Sequence, residues 1–144
     1  ELASSEVDGK PIGAAFMVGD WKRVLRYSHS LLPDPLASYK PNIKDKSSWE
    51  MIKKIAANFD GAFVVTEEGE VVASCRRLNA SRRVTIPKGL GTRHHAVAAM
   101  TAATEAKGIT VSQEDRMIRI FRSGKIVALI DPKGTILEYL GTEL

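Results

Sequence analysis

The stretch Asp60-Gly61-Ala62-Phe63-Val64-Val65-Thr66-Glu67-Glu68-Gly69-Glu70-Val71-Val72-Ala73-Ser74 decides the architecture, because two apolar runs flank a Glu-Glu-Gly turn. Residues 62–66 and 70–74 are therefore predicted as paired strands of a hairpin. Upstream, Met51, Ile52, Ile55 and Phe59 recur on one face of a predicted helix, and Ser47 with Glu50 forms a capping-box pattern at its start. That helix delivers the chain to Asp60 at the mouth of the first strand, with no side-chain bulk beside it at Gly61. Downstream, a long loop leads to Gly89-Leu90-Gly91-Thr92-Arg93-His94-His95, a glycine-rich entry into an alanine-rich helix over residues 93–107. Thr92 is its expected N-cap and Gly108 its C-terminal stop.

Outward from these segments, residues 11–18 read as a buried strand and residues 21–32 as a helical turn or two before Pro33, Pro35 and Pro41 break the pattern. Residues 109–112 and 117–121 read as strands, and Ser123-Gly124 as a two-residue turn into a strand over 125–130 bounded by Asp131-Pro132-Lys133-Gly134. The tail, 135–144, suits a strand or a helical turn. Early alternation of strand and helix followed by hairpins predicts a mixed β-sheet flanked by helices, an α/β fold in a single compact domain.

The chain has 144 residues, 44% hydrophobic and 26% charged, with a formal net charge of +4. This is the composition of a soluble globular protein with one core. No apolar run approaches the roughly 18 residues of a membrane span, and no signal peptide is visible, so a cytoplasmic location is expected. Cys75 is the single cysteine, which excludes an internal disulfide and a cysteine-built zinc site; its apolar context reads as a buried strand position. A chain opening at Glu1 reads as a piece excised from a longer protein.

The charge is unevenly spread. No Asp or Glu occurs over residues 71–104, whereas Arg76, Arg77, Arg82, Arg83, Lys88 and Arg93 all do. An anionic ligand is implied, either a polyphosphate in a cleft or a nucleic-acid backbone; a solvated loop is the plainer account of Arg76, Arg77, Arg82 and Arg83. The stretch lacks aromatic residues to stack on bases, which counts against single-strand binding. At the helix start, unpaired amides and the positive end of the dipole favour an anion, and Arg93 adds a planar fork of donors. Asp60 is either a turn residue or a ligand for a metal accompanying that anion. His94 and His95 point about 100° apart on a helix, so one of them is expected to face the ligand. His29 stands alone in a loop-like region.

Together Asp60-Gly61-Ala62 and Gly91-Thr92-Arg93-His94-His95 resemble the two signature motifs of the diadenylate cyclase family, an Asp-Gly-Ala strand start and a Gly-Thr-Arg-His-Arg helix start. The resemblance extends over residues 13–130 through Gly13-Ala14-Ala15-Phe16, Ala73-Ser74-Cys75 and Val111-Ser112-Gln113-Glu114. His95 stands where better-known bacterial members carry a second arginine, an archaeal-like Arg-His-His variant, and Gln113 replaces an acidic residue. The resemblance implies a catalytic domain over residues 1–144 that condenses two ATP into cyclic di-AMP and two pyrophosphates across a face-to-face homodimer. It assigns Asp60, Arg93 and His94 to catalysis, and Asp60, Gly61, Ala62, Leu78, Gly91, Thr92, Arg93, His94, His95, Ser112 and Glu114 to ATP. It gives Asp60 and His94 a divalent metal: Mn²⁺, with Co²⁺ or Mg²⁺ as alternatives. No nucleic-acid partner and no membrane segment are expected. A non-catalytic adenine-nucleotide or cyclic-dinucleotide sensor and a nucleic-acid-binding module remain the rival readings.

Overall fold

The computed structural model describes residues 1–140; residues 141–144, the end of the tail expected to be a strand or helical turn, lie outside the described residues. A short hairpin, β1 (Glu6–Val7) and β2 (Lys10–Pro11), precedes β3 (Ala14–Val18), α1 (Trp21–Arg26) and β4 (Ser28–Ser30). The chain then forms α2 (Trp49–Asn58), β5 (Ala62–Val65), β6 (Val71–Leu78) and α3 (Thr92–Ala103). It closes with β7 (Lys107–Val111), β8 (Ile118–Arg122), β9 (Lys125–Ile130) and β10 (Ile136–Tyr139). Among the described residues β3 to β10 make one eight-stranded sheet in the order β10-β9-β8-β7-β3-β5-β6-β4. Only β3 and β5 pair in parallel, with Phe16 opposite Phe63; the remaining pairs are antiparallel. The expected mixed α/β sheet is present.

Alternation along the strands splits the core into two layers. On one face Ala15, Met17, Val64 and Ala73 pack with Val24 of α1 and with Val97, Ala98 and Met100 of α3. On the other, Phe63, Val65, Val71 and Cys75 pack with Ile52 and Ile55 of α2. Met17, Val64, Val97, Met100 and Phe121 are fully enclosed, each stabilising the fold by about 1.5–3 kcal/mol. Gly108 leaves room for α3 on the sheet: a Cβ there would lie 2.2 Å from Val97 Cγ1.

Several local expectations are corrected. Gly108 is not a helix cap but lies inside β7; α3 ends at Ala103, where Thr104 turns extended and its hydroxyl donates to the Met100 carbonyl at 2.8 Å. Arg23 of α1 donates to the Ala103 carbonyl at 2.8 Å, completing that end. At the other end Gly91 is the N-cap and Thr92 the first helical residue, and no side chain caps the helix. The Ser47–Glu50 box does not form. Instead Asp45 accepts from the Ser47 amide at 3.0 Å and hydroxyl at 2.8 Å, so a 3-10 turn leads into α2. Met51 and Phe59 are exposed, and the buried stripe of α2 narrows to Ile52 and Ile55. His29 belongs to β4, and its Nδ1 meets the Asn79 amide group at 2.6 Å.

Candidate active site

Asp60 leaves α2 and Gly61 turns the chain into β5 against the backbone of β6. A register shift between Ala62 and Val64 places Ser74 and Cys75 as a bulge opposite Phe63, with Cys75 at φ 55°. Gly61, at φ 102°, fits against that bulge: a Cβ would sit 2.5 Å from the Cys75 carbonyl carbon and 2.7 Å from the Arg76 nitrogen. No other residue fits there without backbone movement. Burial pushes the Cys75 thiol up, with Asp34 and Asp60 adding to the rise and a bond from Ser74 opposing it, so it is a neutral core thiol. Asp60 itself is exposed.

Facing this strand start is the uncapped N-terminus of α3. Its first amides lack intrahelical carbonyl partners, which leaves them free for an anion. Arg93 has no hydrogen-bonding or ionic partner among the described residues, and its Nη1 lies 2.3 Å from where a Gly13 Cβ would stand. The guanidinium thus lies along β3's entry, held only by the space that Gly13 leaves. His94 is buried at 7% exposure, under the helix and beside the Phe121 ring at a centroid distance of 6.2 Å. Burial holds its imidazole below the ordinary histidine range, reinforced by the charges of Arg119 and Arg93, so at neutral pH it is uncharged.

Between these elements runs a cleft of about 660 Å³, within the roughly 300–1,000 Å³ usual for small-molecule sites. Asp60, Gly61, Ala62, Leu78, Gly91, Thr92, Arg93, His94, Ser112 and Glu114 all line it. His95 does not: it is exposed and lies outside the lining. Ser112 is buried with its hydroxyl accepting from the Glu114 amide at 3.2 Å, so it shapes the 112–117 turn as well as facing the cleft.

Sequence reasoning missed part of the wall. Arg77, expected beside the base with Leu78, lines the cleft from β6, and so does Arg76, whose guanidinium donates to the carbonyls of Leu25 and Ser28 and the hydroxyls of Ser28 and Ser30. It ties the edge strand β4 to the sheet. Leu31, whose amide donates to the Cys75 carbonyl at 3.0 Å, lies beside it on the wall. Asp115 also lines the cleft, accepting from the Met117 amide and from Arg119 Nη2, both at 2.9 Å. A charge in the run Ile118-Arg119-Ile120-Phe121, at the alternation position shared with buried Phe121, was the available signal.

Among the described residues no three His, Cys, Asp or Glu side chains gather as a metal cage. The donors present fit a different kind of metal site. A hard divalent ion accompanying a triphosphate keeps most of its waters and takes one or two carboxylates, and exposed Asp60 on the cleft wall meets that requirement. His94, kept neutral, has a lone pair to offer, but its Nε2 is enclosed, which leaves Nδ1 for the cleft.

With this geometry in hand, comparison with known proteins gives a consistent result. The chain is 39% identical over 137 residues to a diadenylate cyclase of Methanocaldococcus jannaschii, covering 95% of this chain and 44% of that protein. It is 38% identical over 134 residues to a diadenylate cyclase of Haloferax volcanii, covering 92% of this chain and 49% of the relative. The chain thus spans about half the length of these relatives. Its fold is similar to a double mutant of DacA from Staphylococcus aureus, with TM-score 0.59, 23% identity, and 80% and 73% of the two chains covered. A hypothetical membrane spanning protein from Bacillus cereus superimposes with TM-score 0.62 at 18% identity, over 79% of this chain and 53% of that one. No helix among the described residues is long and apolar enough to cross a membrane. The family DAC, DisA bacterial checkpoint controller nucleotide-binding, matches residues 1–126, and the chain belongs to it.

Proposed function

We propose that this chain is the catalytic domain of a diadenylate cyclase, joining two ATP molecules into cyclic di-AMP with release of two pyrophosphates. One observation carries the reading: the exposed Asp60 carboxylate and the unpaired Arg93 fork at an uncapped helix start line one nucleotide-sized cleft. Family membership and the relatives' names point the same way.

In each half-reaction a ribose 3′-oxygen forms a bond to the α-phosphorus of the other ATP, and the bond from that phosphorus to the β-phosphate bridging oxygen breaks. Pyrophosphate leaves with that electron pair. Asp60 accepts the proton of the attacking hydroxyl. The amides of Thr92, Arg93 and His94 with the Arg93 guanidinium hold the triphosphate and its developing charge. Gly61 and Ala62 let the nucleotide approach the backbone, Leu78 lies beside the base, and Ser112 and Glu114 close the phosphate end. A divalent metal, Mn²⁺ first with Co²⁺ or Mg²⁺ as substitutes, supplies charge neutralisation on the triphosphate when bound. Asp60 and the outward nitrogen of His94 would hold it.

Two mutual bonds need two cleft-bearing protomers face to face, so the active species is a homodimer. His95, exposed and outside the cleft lining, is read as an auxiliary position of an Arg-His-His variant, with the triphosphate held mainly by Arg93. Residues 1–144 act as one catalytic domain, in the cytoplasm, with no nucleic-acid partner. Incubating the purified protein with ATP and Mn²⁺ and separating products by mass tests the reading. Cyclic di-AMP with two equivalents of pyrophosphate is expected. Saturable ATP binding without product would replace it with a nucleotide sensor.

A further inference from the structure

Three enclosed side-chain atoms have no hydrogen-bond partner among the described residues: His94 Nε2, Thr110 Oγ1 and Arg119 Nη1. Their positions in the fold converge. Thr110 on β7 and Arg119 on β8 are direct cross-strand partners. Two residues along the same strands Gly108 and Phe121 are partners too, so both pairs present their side chains to the same face of the sheet. That face is the one under α3, because Val97 seats on Gly108. His94 precedes Val97 by three residues, which puts it on the same stripe of the helix one turn nearer the cleft. A helical turn rises about 5.4 Å and two strand residues about 6.8 Å, so stepping back one turn from Gly108 and Phe121 sets His94 over Thr110 and Arg119. The Phe121 ring 6.2 Å from the His94 ring agrees with that placement.

Buried polar atoms are rarely left unpaired, because each unpaired group carries a desolvation cost of about 1–3 kcal/mol. Here the three atoms complement one another. Arginine only donates, and an Nδ1 that offers its lone pair leaves the ring proton on Nε2, so Thr110 Oγ1 is the one acceptor of the three that both Nη1 and Nε2–H can use. Asp115 holds the other end of Arg119 through Nη2 at 2.9 Å and itself lines the cleft. The run is anchored at both ends.

We infer that Thr110, Arg119 and Asp115 are positioning residues for His94: they hold its Nε2–H beneath α3 and leave the Nδ1 lone pair to face the metal that accompanies the nucleotide's triphosphate. The inference rests on the reading of the cleft as an ATP site. Its core, which nitrogen is anchored and by what, can be measured without turnover.

Protein labelled with ¹⁵N-histidine is titrated with Mg²⁺ and α,β-methylene ATP, and the His94 resonances are identified by their loss in His94→Gln. The ligand is expected to move Nδ1 and leave Nε2 nearly in place. Thr110→Val, isosteric but without the hydroxyl, should shift Nε2 in the ligand-free protein and lower kcat/KM about tenfold or more, mainly through kcat, as losses behind a ligating histidine do. Thr110→Ser should restore both. If Thr110→Val does not fold, Arg119→Gln reports on the same nitrogen. A ligand that perturbs Nε2 rather than Nδ1, or a folded Thr110→Val with an unchanged Nε2 resonance, would overturn the inference. Should wild type make no cyclic di-AMP, the Nε2 response to Thr110→Val in the free protein still decides it, separately from the function.

Discussion

Gly61 and Cys75 are locked backbone to backbone: a single added methyl on Gly61 would stand 2.5 Å from the Cys75 carbonyl carbon, and both residues hold positive φ, 102° and 55°. This contact joins the strand start that carries Asp60 to the bulge from which the Arg76 wall follows. Gly61→Ala meets rigid backbone and an unfavourable φ together. We expect a loss of about 2 kcal/mol or more in urea unfolding, and at least about a tenfold fall in kcat from displacement of Asp60. A Gly61→Ala protein with unchanged midpoint and activity would show that the two strands are not so tightly coupled.

Asp60 is exposed and has no partner that its loss would strand. Asp60→Asn should therefore leave the unfolding midpoint within about 0.5 kcal/mol of wild type. Cyclic di-AMP synthesis should drop at least about a hundredfold, the lower end for removing a general base. Retained synthesis in the folded variant excludes Asp60 from the chemistry.

Arg93 and His95 separate by position. Arg93→Ala should raise the apparent KM for ATP about tenfold or more, as expected for losing a charge-assisted phosphate contact, while His95→Ala changes it less than about twofold. Gly13→Ala offers an independent check, because its Cβ would fall 2.3 Å from Arg93 Nη1 and 2.7 Å from Gln113 Cγ, both on side chains rather than backbone. It should weaken ATP binding with little change in thermal stability. Steady-state kinetics on the three variants decide, and equal effects of Arg93→Ala and His95→Ala would contradict the placement.

The neutral state of His94 predicts a pH dependence. Burial, Arg119, Arg93 and His95 all lower its pKa from 6.5, and Asp115 opposes them. The unfolded chain then binds a proton more readily than the folded one, so stability falls as pH drops through about 6.5 and levels off below the folded pKa; above about pH 7 the group contributes no slope. In chelator-treated protein, the stability advantage of wild type over His94→Gln should shrink from pH 7 to pH 5. An advantage that grows towards acid would mean the folded protein holds imidazolium.

The proposed dimer makes activity depend on concentration. Two triphosphates facing each other repel, so assembly should be weak without nucleotide and metal. Specific activity should rise with protein concentration to a plateau, and mixing in Asp60→Asn protein should lower wild-type output by trapping wild-type protomers in incompetent pairs. Flat specific activity where sedimentation shows monomer alone would exclude the face-to-face arrangement.

Much of this molecule could be read from local pattern. The 62–74 hairpin, the Ser123-Gly124 turn and the helix entry after Gly91 follow from β-branched runs, turn glycines and alanine periodicity, all interactions between near neighbours in the chain. The motif residues likewise carried the site: of those expected to touch the nucleotide, all but His95 line one cleft. Helix direction alone showed that His94 and His95 diverge, but only packing against Phe121 decided that His94 turns inward.

What the sequence left open depended on contacts between distant segments. The glycine at 108 has the local signature of a helix stop, yet Val97 needs its missing side chain inside β7; the two readings differ only once α3 lies on the sheet. Ser47 and Glu50 carry a capping pattern, but Asp45 takes the amide first because the 3-10 turn puts its carboxylate closer. Arg76 looked like a loop charge until β4 supplied three oxygens, and α1 the Leu25 carbonyl, to its guanidinium. The residues that line the cleft were thus legible in short motifs. The closure of its walls, and the choice of the inward-facing histidine, came from long-range packing, where excluded volume and unpaired buried donors rule out every arrangement but one.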